Sequence, residues 1–223
     1  MPKKDKIKRH SWPVLFVHWT VAFSTFMLIF SGFGQMPLYK RYMIDKLPGL
    51  SWTVNYEITL IIHYIFAALL IFAVAFHIVF HSIKKEFDII PRRGDLKESY
   101  QIIKAMISGG KEPENDKYLA EQRIAYAYIG IMLIILIVTG VVKVIKNLPN
   151  VTFSTETLIV AATLHNLTAF LLIAGIIGHL AAFIFKANRP LLEGMFTGKI
   201  DHEYAKNRHS LWYKRITQSK NER

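Results

Sequence analysis

Four blocks of mostly apolar residues, at positions 13–34, 54–81, 124–145 and 157–185, divide this chain of 223 residues. A helix needs about 20 consecutive, mostly apolar residues to cross the hydrocarbon core of a bilayer, and each block reaches that length. The second and fourth exceed it, which implies tilt or a helix running on beyond the lipid. The expected fold is an all-α membrane protein, a four-transmembrane-helix bundle forming one domain over residues 1–223, with a basic tail at 186–223. The first block follows Lys3, Lys4, Lys6, Lys8 and Arg9, the layout of a signal peptide. Its apolar run is too long for one and no small-residue cleavage site follows, so it reads as a retained membrane helix.

The formal charge of +12 would fit a nucleic-acid partner if it were spread evenly or clustered on one soluble face. It is not. Five Lys and Arg lie before the first block, nine between Ser82 and Arg123 and nine from Lys186 onward, leaving Lys40, Arg41, Lys46, Lys143 and Lys146 for the other two connections. By the positive-inside rule, both termini and the middle connection are cytoplasmic. Basic residues beside membrane helices meet anionic lipid headgroups, so the expected partner is membrane lipid and no nucleic acid. The connection at 82–122 is polar, broken by Pro91, Gly94, Gly109, Gly110 and Pro113, with one amphipathic stretch from Leu96 to Ile107. It is expected to lie on the inner surface as a partly helical loop. The amino terminus up to Trp12 reads as a solvated basic cap.

There are no cysteines. Disulfides, thiolate-held iron–sulfur clusters and covalent haem attachment are therefore excluded. Any redox centre in this chain rests on histidine or methionine, and any iron–sulfur wire belongs to another subunit.

The fourth block carries His165 and His179 among small residues: Ala161, Ala162, Ala169, Ala174, Gly175, Gly178, Ala181 and Ala182. Fourteen positions of helix separate the two imidazoles by about 21 Å and leave them within roughly 40° of one face. The second block repeats that spacing with His63 and His77, and both blocks run from outside to inside. His18 stands near the inner end of the first block. An ionisable side chain inside a membrane helix is costly unless it faces the bundle interior and finds a partner. Ordinary helix packing explains one such histidine, but not five at two matched depths. Two haems, each held by two axial imidazoles, would use four of them. His63 and His165 pair naturally at the outer level; His18, His77 and His179 compete at the inner one. His81 reads as an interfacial histidine, and the third block, with no histidine, as a packing and shielding helix.

Further residues carry a family resemblance. His18-Trp19 and Ser31-Gly32 in the first helix, His63 in the second, Lys117-Tyr118 with Gln122-Arg123 before the third, Val138-Thr139-Gly140-Val141 within it, and His165 and His179 in the fourth form one pattern. The tail adds Glu193-Gly194-Met195-Phe196-Thr197-Gly198-Lys199-Ile200, Tyr204-Ala205-Lys206 and Trp212-Tyr213-Lys214. Over nearly its whole length the chain resembles the membrane cytochrome b (gamma) subunits of respiratory formate dehydrogenases, in the wider family that includes the cytochrome b subunit of nickel–iron hydrogenases. The tail favours the formate dehydrogenase branch.

The resemblance implies two haem b groups, with His63 and His165 ligating the outer iron and His18 and His179 the inner one, His77 remaining the rival to His18. It implies a quinone, menaquinone or another, reduced near the inner haem by the segment ahead of the third helix, with Gln122 as a contact. Leu119 and Glu121 stand here where that pattern has Asn and Gly, and Glu121 is a candidate proton donor. It also implies an iron–sulfur subunit and a catalytic dehydrogenase subunit docked on the outer side, and a bacterial or archaeal cytoplasmic membrane engaged in anaerobic respiration. The chain itself would be non-catalytic toward the primary substrate, a conduit and quinone-reducing subunit. Two other classes compete: a hydrogenase-type or free-standing cytochrome b561-like oxidoreductase, and a haemless helical bundle conducting protons or ions.

Overall fold

The computed structural model of the protein describes residues 5–221 in backbone and residues 5–219 in side chain. Lys3 and Lys4, two of the amino-terminal charges, and Arg223 lie outside the described residues. Four helices are long and apolar enough to cross a membrane: Trp12–Gly34, Tyr56–Lys84, Ala120–Ile145 and Thr155–Ile184, the last ending in a 3-10 turn. The residues fall into two compact units.

One unit, Trp12–Lys85, holds α1 (Trp12–Gly34), the short α2 (Pro37–Arg41), 3-10 turns at Ile44–Lys46 and Ser51–Val54, and α3 (Tyr56–Lys84). α1 and α3 pack antiparallel along their length. Phe16 meets Phe76 edge-on with centroids 6.4 Å apart, and Phe23 meets Phe66 at 5.4 Å. α3 starts at Tyr56 because the Asn55 side chain accepts the Glu57 and Ile58 N–H groups, at 3.1 and 3.2 Å. A capping carboxamide of this kind satisfies donors that the first helical turn leaves orphaned. At the end of α1 the backbones nearly touch: a Cβ on Gly34 would lie 2.5 Å from the Thr53 carbonyl oxygen and 3.0 Å from Thr59 Cγ2.

The other unit joins residues 1–11 to 86–223. It contains α4 (Asp95–Ser108), α5 (Ala120–Ile145), α6 (Thr155–Ala181), α7 (Pro190–Thr197), α8 (His202–Arg208) and α9 (Ser210–Asn221), with a two-stranded sheet of β1 (Lys6–Lys8) and β2 (Lys199–Asp201). α5 and α6 pack antiparallel, with Ser154 capping α6 by accepting the Thr157 N–H at 3.2 Å. At Gly175 a Cβ would lie 2.5 Å from Tyr128 Cε1, and the Tyr128 hydroxyl donates to the Leu171 carbonyl at 2.8 Å.

Two expectations from the sequence are corrected here. α5 begins four residues before 124. The Gln122 side chain accepts the Leu119 N–H at 3.2 Å, and Arg123 is buried in a two-pronged bond to Asp95 of α4, at 2.6 and 2.9 Å. Polar residues that read as connection are therefore the first turn of the helix. Nor is the amino terminus a solvated cap. Residues 6–8 pair antiparallel with 199–201, Ile7 opposite Ile200, and Arg9 and His10 are buried. The pairing contributes its hydrogen bonds, and Ile200 joins Ala205 and Trp212 in a small core that Ile7 covers.

Beneath that sheet lies a dense polar cluster. The Arg9 guanidinium donates to His209 Nε2 at 2.9 Å, to the Lys117 carbonyl, and to Gln122 Oε1 at 3.3 Å. Since Nε2 accepts, the proton of His209 is on Nδ1, donated to the Asp116 carbonyl at 2.7 Å. Burial, reinforced by Arg9, pushes the imidazole down to about 3, and burial lowers Arg9 itself to about 10. Arg208 is held by Glu112 at 2.9 Å and Asn188 at 2.7 Å, and Arg215 pairs with Asp116. The tail thus grips both the amino-terminal strand and the connection ahead of α5.

Candidate functional site

His63 lies in the second turn of α3, and its Nδ1 is 3.0 Å from Ser31 Oγ on α1. The Ser31 hydroxyl also reaches back to the Met27 carbonyl at 2.7 Å. A hydroxyl has one proton; the shorter contact, to an atom that only accepts, takes it. Ser31 Oγ therefore accepts from His63 Nδ1–H, which leaves Nε2 deprotonated, the form of imidazole that ligates a metal. A Cβ on Gly32 would stand 3.6 Å from His63 Cε1, so the helix surface is flat where the ring lies.

The second helix pair repeats the arrangement. His165 of α6 has Nδ1 2.9 Å from Thr139 Oγ1 on α5, and Thr139 bonds back to the Ile135 carbonyl at 2.7 Å. A Cβ on Gly140 would lie 3.4 Å from His165 Cε1. Each imidazole is thus fixed in tautomer and orientation by a hydroxyl on a neighbouring helix, one residue before a glycine. This is the support that metal-bound histidines regularly receive from their surroundings. The spacings persist as well: His63 and His77 share the unbroken α3, and His165 and His179 share α6.

At the other level the support is aromatic. His18 meets Trp19 edge-on with centroids 5.3 Å apart, and His179 meets Phe183 at 6.2 Å. His77 and His81, one turn apart, have centroids at 4.5 Å. Among the described residues no three His, Cys, Asp or Glu side chains converge as a cage for a bare cation. A porphyrin supplies four ligands of its own and asks only axial ligands of a protein, so single, well-oriented histidines fit a haem. The small-residue stripe on α6 divides in two: Gly175 receives the Tyr128 ring, whereas nothing lies within 4 Å of a Cβ at Gly178 among the described residues.

The segment ahead of α5 is the other candidate. Gln122 Oε1 is occupied by the Leu119 N–H and the Arg9 guanidinium. Both carboxyl oxygens of Glu121 are shielded, with no hydrogen-bond partner among the described residues. The neighbouring Tyr118 hydroxyl, outside the helix, is pushed up to about 12 by burial. Sequence reasoning missed Ser31 and Thr139 as orienting groups. The signal was there in duplicate, a hydroxyl residue followed by glycine in both helices that bear no outer-level histidine.

Comparison with known proteins agrees with these features. Residues 9–198 match the family model described as prokaryotic cytochrome b561. The cytochrome b556 subunit of formate dehydrogenase from Haemophilus influenzae is 25% identical over 222 residues, covering 96% of this chain and 85% of that protein. The nitrate-inducible formate dehydrogenase cytochrome b556(Fdn) subunit of Escherichia coli K12 is 26% identical over 223 residues, 97% of this chain and 94% of its own length. The match spans all four membrane helices and both hydroxyl–imidazole pairs, and the chain belongs to the prokaryotic cytochrome b561 family: it is an integral membrane cytochrome b of electron transfer.

Proposed function

We propose that this chain is the dihaem membrane subunit of a formate dehydrogenase-like complex, passing electrons from an iron–sulfur subunit docked with its catalytic subunit on the outer side to a quinone. The carrying observation is the twin support of His63 by Ser31 and of His165 by Thr139. Those two histidines are assigned to the outer haem, and His18 and His179 to the inner one. His165 and His179 stand about 21 Å apart along the axis of α6, and haems held by these residues would supply one-electron exchange.

The residues around them orient and shield. Ser31 and Thr139 hold the rings in the ligating tautomer, and Gly32 and Gly140 let those rings lie flat on the helix surface. The quinone pocket is assigned to the head of α5. With Gln122 Oε1 engaged, its amide NH2 is the group left to donate to a quinone carbonyl. Reduction consumes two electrons and two protons, and the shielded Glu121 carboxyl is assigned the role of handing protons on from the cytoplasm. The charge distribution supports cytoplasmic termini, and the β1–β2 pairing supports both termini lying on one side, since a hydrogen-bonded sheet cannot straddle a bilayer.

Haem content of the purified protein tests the assignment. Two haem b per chain and a split band on reduction are expected, with one haem lost in His18→Ala and none in His77→Ala. Two haems retained in His18→Ala would refute the inner pairing, and a protein colourless in the visible would refute the whole reading. Formate-dependent quinone reduction by the isolated complex, with an iron–sulfur subunit co-purifying, separates this function from that of a hydrogenase-type or free-standing cytochrome.

A further inference from the structure

α4 carries two apolar faces, and among the described residues one of them is packed. Ile102, Ala105 and Met106 face inward, Ile102 packing with Leu119 and Ala120 at the head of α5. Leu96, Tyr100, Ile103 and Ile107 project elsewhere, exposed at 79%, 66%, 39% and 71%. Their spacing of four, three and four residues puts them within about 60° of one line along the helix. Lys97 and Lys104 border that line on one flank. A single exposed apolar side chain needs no explanation, but four in register do.

Two further features tell what covers the stripe. The helix is locked to the start of a membrane span: Asp95 takes both prongs of the buried Arg123, and Ile102 rests on the first turn of α5. α4 therefore sits at the level where α5 enters the bilayer. Beside its amino end is a groove of about 510 Å³ lined by Arg92 and Arg93 together with the apolar Leu96, Ile124 and Ala127 and by Tyr128. With Arg92 paired to Asp88 and Asp116, Arg93 beside apolar side chains of a span is the combination that suits a phosphate joined to an acyl chain. Lysines flanking an apolar stripe match the same boundary, their stems lying along the lipid and their ammonium groups at the headgroups.

We infer that α4 is an interfacial helix, its Leu96–Tyr100–Ile103–Ile107 stripe sunk into the acyl boundary of the leaflet from which α5 departs, with Lys97, Lys104 and Arg93 engaging anionic phospholipid phosphates. The inference goes beyond the electron-transfer reading and does not depend on it. Lipid grips α4, and the Asp95–Arg123 bond transmits that grip to the head of α5, fixing its depth at the membrane edge.

The cysteine-free sequence allows a direct test. Leu96→Cys, Ile107→Cys and, as a control on another face of α4, Gln101→Cys are each spin-labelled in the full chain and reconstituted in phosphatidylglycerol vesicles. Collision with dissolved oxygen is compared with collision with a water-soluble nickel chelate. The oxygen-to-chelate ratio at Leu96 and Ile107 is expected to exceed that at Gln101 by about threefold or more. Equal ratios at all three sites would overturn the inference, as would labels shielded from both reagents, which would mean a protein cover. In the same vesicles Lys97→Gln/Lys104→Gln is expected to lower the ratio at Ile107 at least to its value in phosphatidylcholine. No change would overturn the assignment to anionic lipid. The readout is independent of haem, so retained b-type absorbance reports separately on the electron-transfer reading.

Discussion

Replacing Thr139 with Val keeps the shape of the side chain and removes the oxygen that accepts His165 Nδ1–H at 2.9 Å. The proton loses that acceptor, and a donor left unmatched costs at most about 1–3 kcal/mol, the figure for full burial, at this half-buried site. The ring is also released from the single orientation that presents Nε2. Loss of such a supporting partner lowers metal-site affinity about 10- to 100-fold, or about 1.4–2.8 kcal/mol, so the two routes to the magnitude agree. A less basic imidazole stabilises ferric iron less, so the potential should move upward. A tenfold difference between oxidation states corresponds to about 59 mV for one electron, and the expected shift is no larger than that. Haem titration into apoprotein and potentiometry on purified Thr139→Val measure both quantities. Ser31→Ala should do the same through His63, and, if those histidines share an iron, both variants should perturb the same spectral component. Unchanged affinity and potential in Thr139→Val would refute the orienting role, and effects on different haems would refute the pairing.

Arg123→Ala leaves the buried Asp95 carboxylate, held below its ordinary range chiefly by its bond to Arg123, without its partner; a loss of about 3–5 kcal/mol is expected. Thermal unfolding in detergent checks it, and Arg123→Ala/Asp95→Leu should recover much of the loss. Gly34→Ala drives a Cβ to 2.5 Å from the Thr53 carbonyl and should cost about 1–3 kcal/mol in a denaturant titration. His209 faces Arg9, Arg208, the Asp116 carbonyl and the Tyr204 and Trp212 rings, and stays neutral in the fold to about 3. The unfolded chain takes up that proton near 6.5. Stability should therefore be level above that pH and decline as pH falls toward 3. His209→Asn should flatten the decline, and identical pH profiles for the two proteins would sink the argument.

The four spans were legible because membrane thickness sets a length that few other structures demand, and the histidine spacings because a helix converts sequence distance directly into depth. The head of α5 was harder. Glu121, Gln122 and Arg123 have the composition of a connection, and only the Asp95 carboxylate of α4 explains why Arg123 sits inside a helix. β1 was hidden for a related reason. Lys6-Ile7-Lys8 is too short to announce a strand, and its partner stands 193 positions later. Ser31 and Thr139 entered the sequence reading only as marks of resemblance. Their task depends on which ring nitrogen faces which helix, and that is tertiary information.

Because Lys6 must wait for Asp201 and its neighbours, the first strand cannot close until residues 199–201 have been made, roughly 10–40 s later at ordinary elongation rates. Throughout that interval the first strand shows an unsatisfied edge and Arg9 lacks the imidazole it is to clasp. A chain that stalls before residues 199–209 emerge keeps both on display.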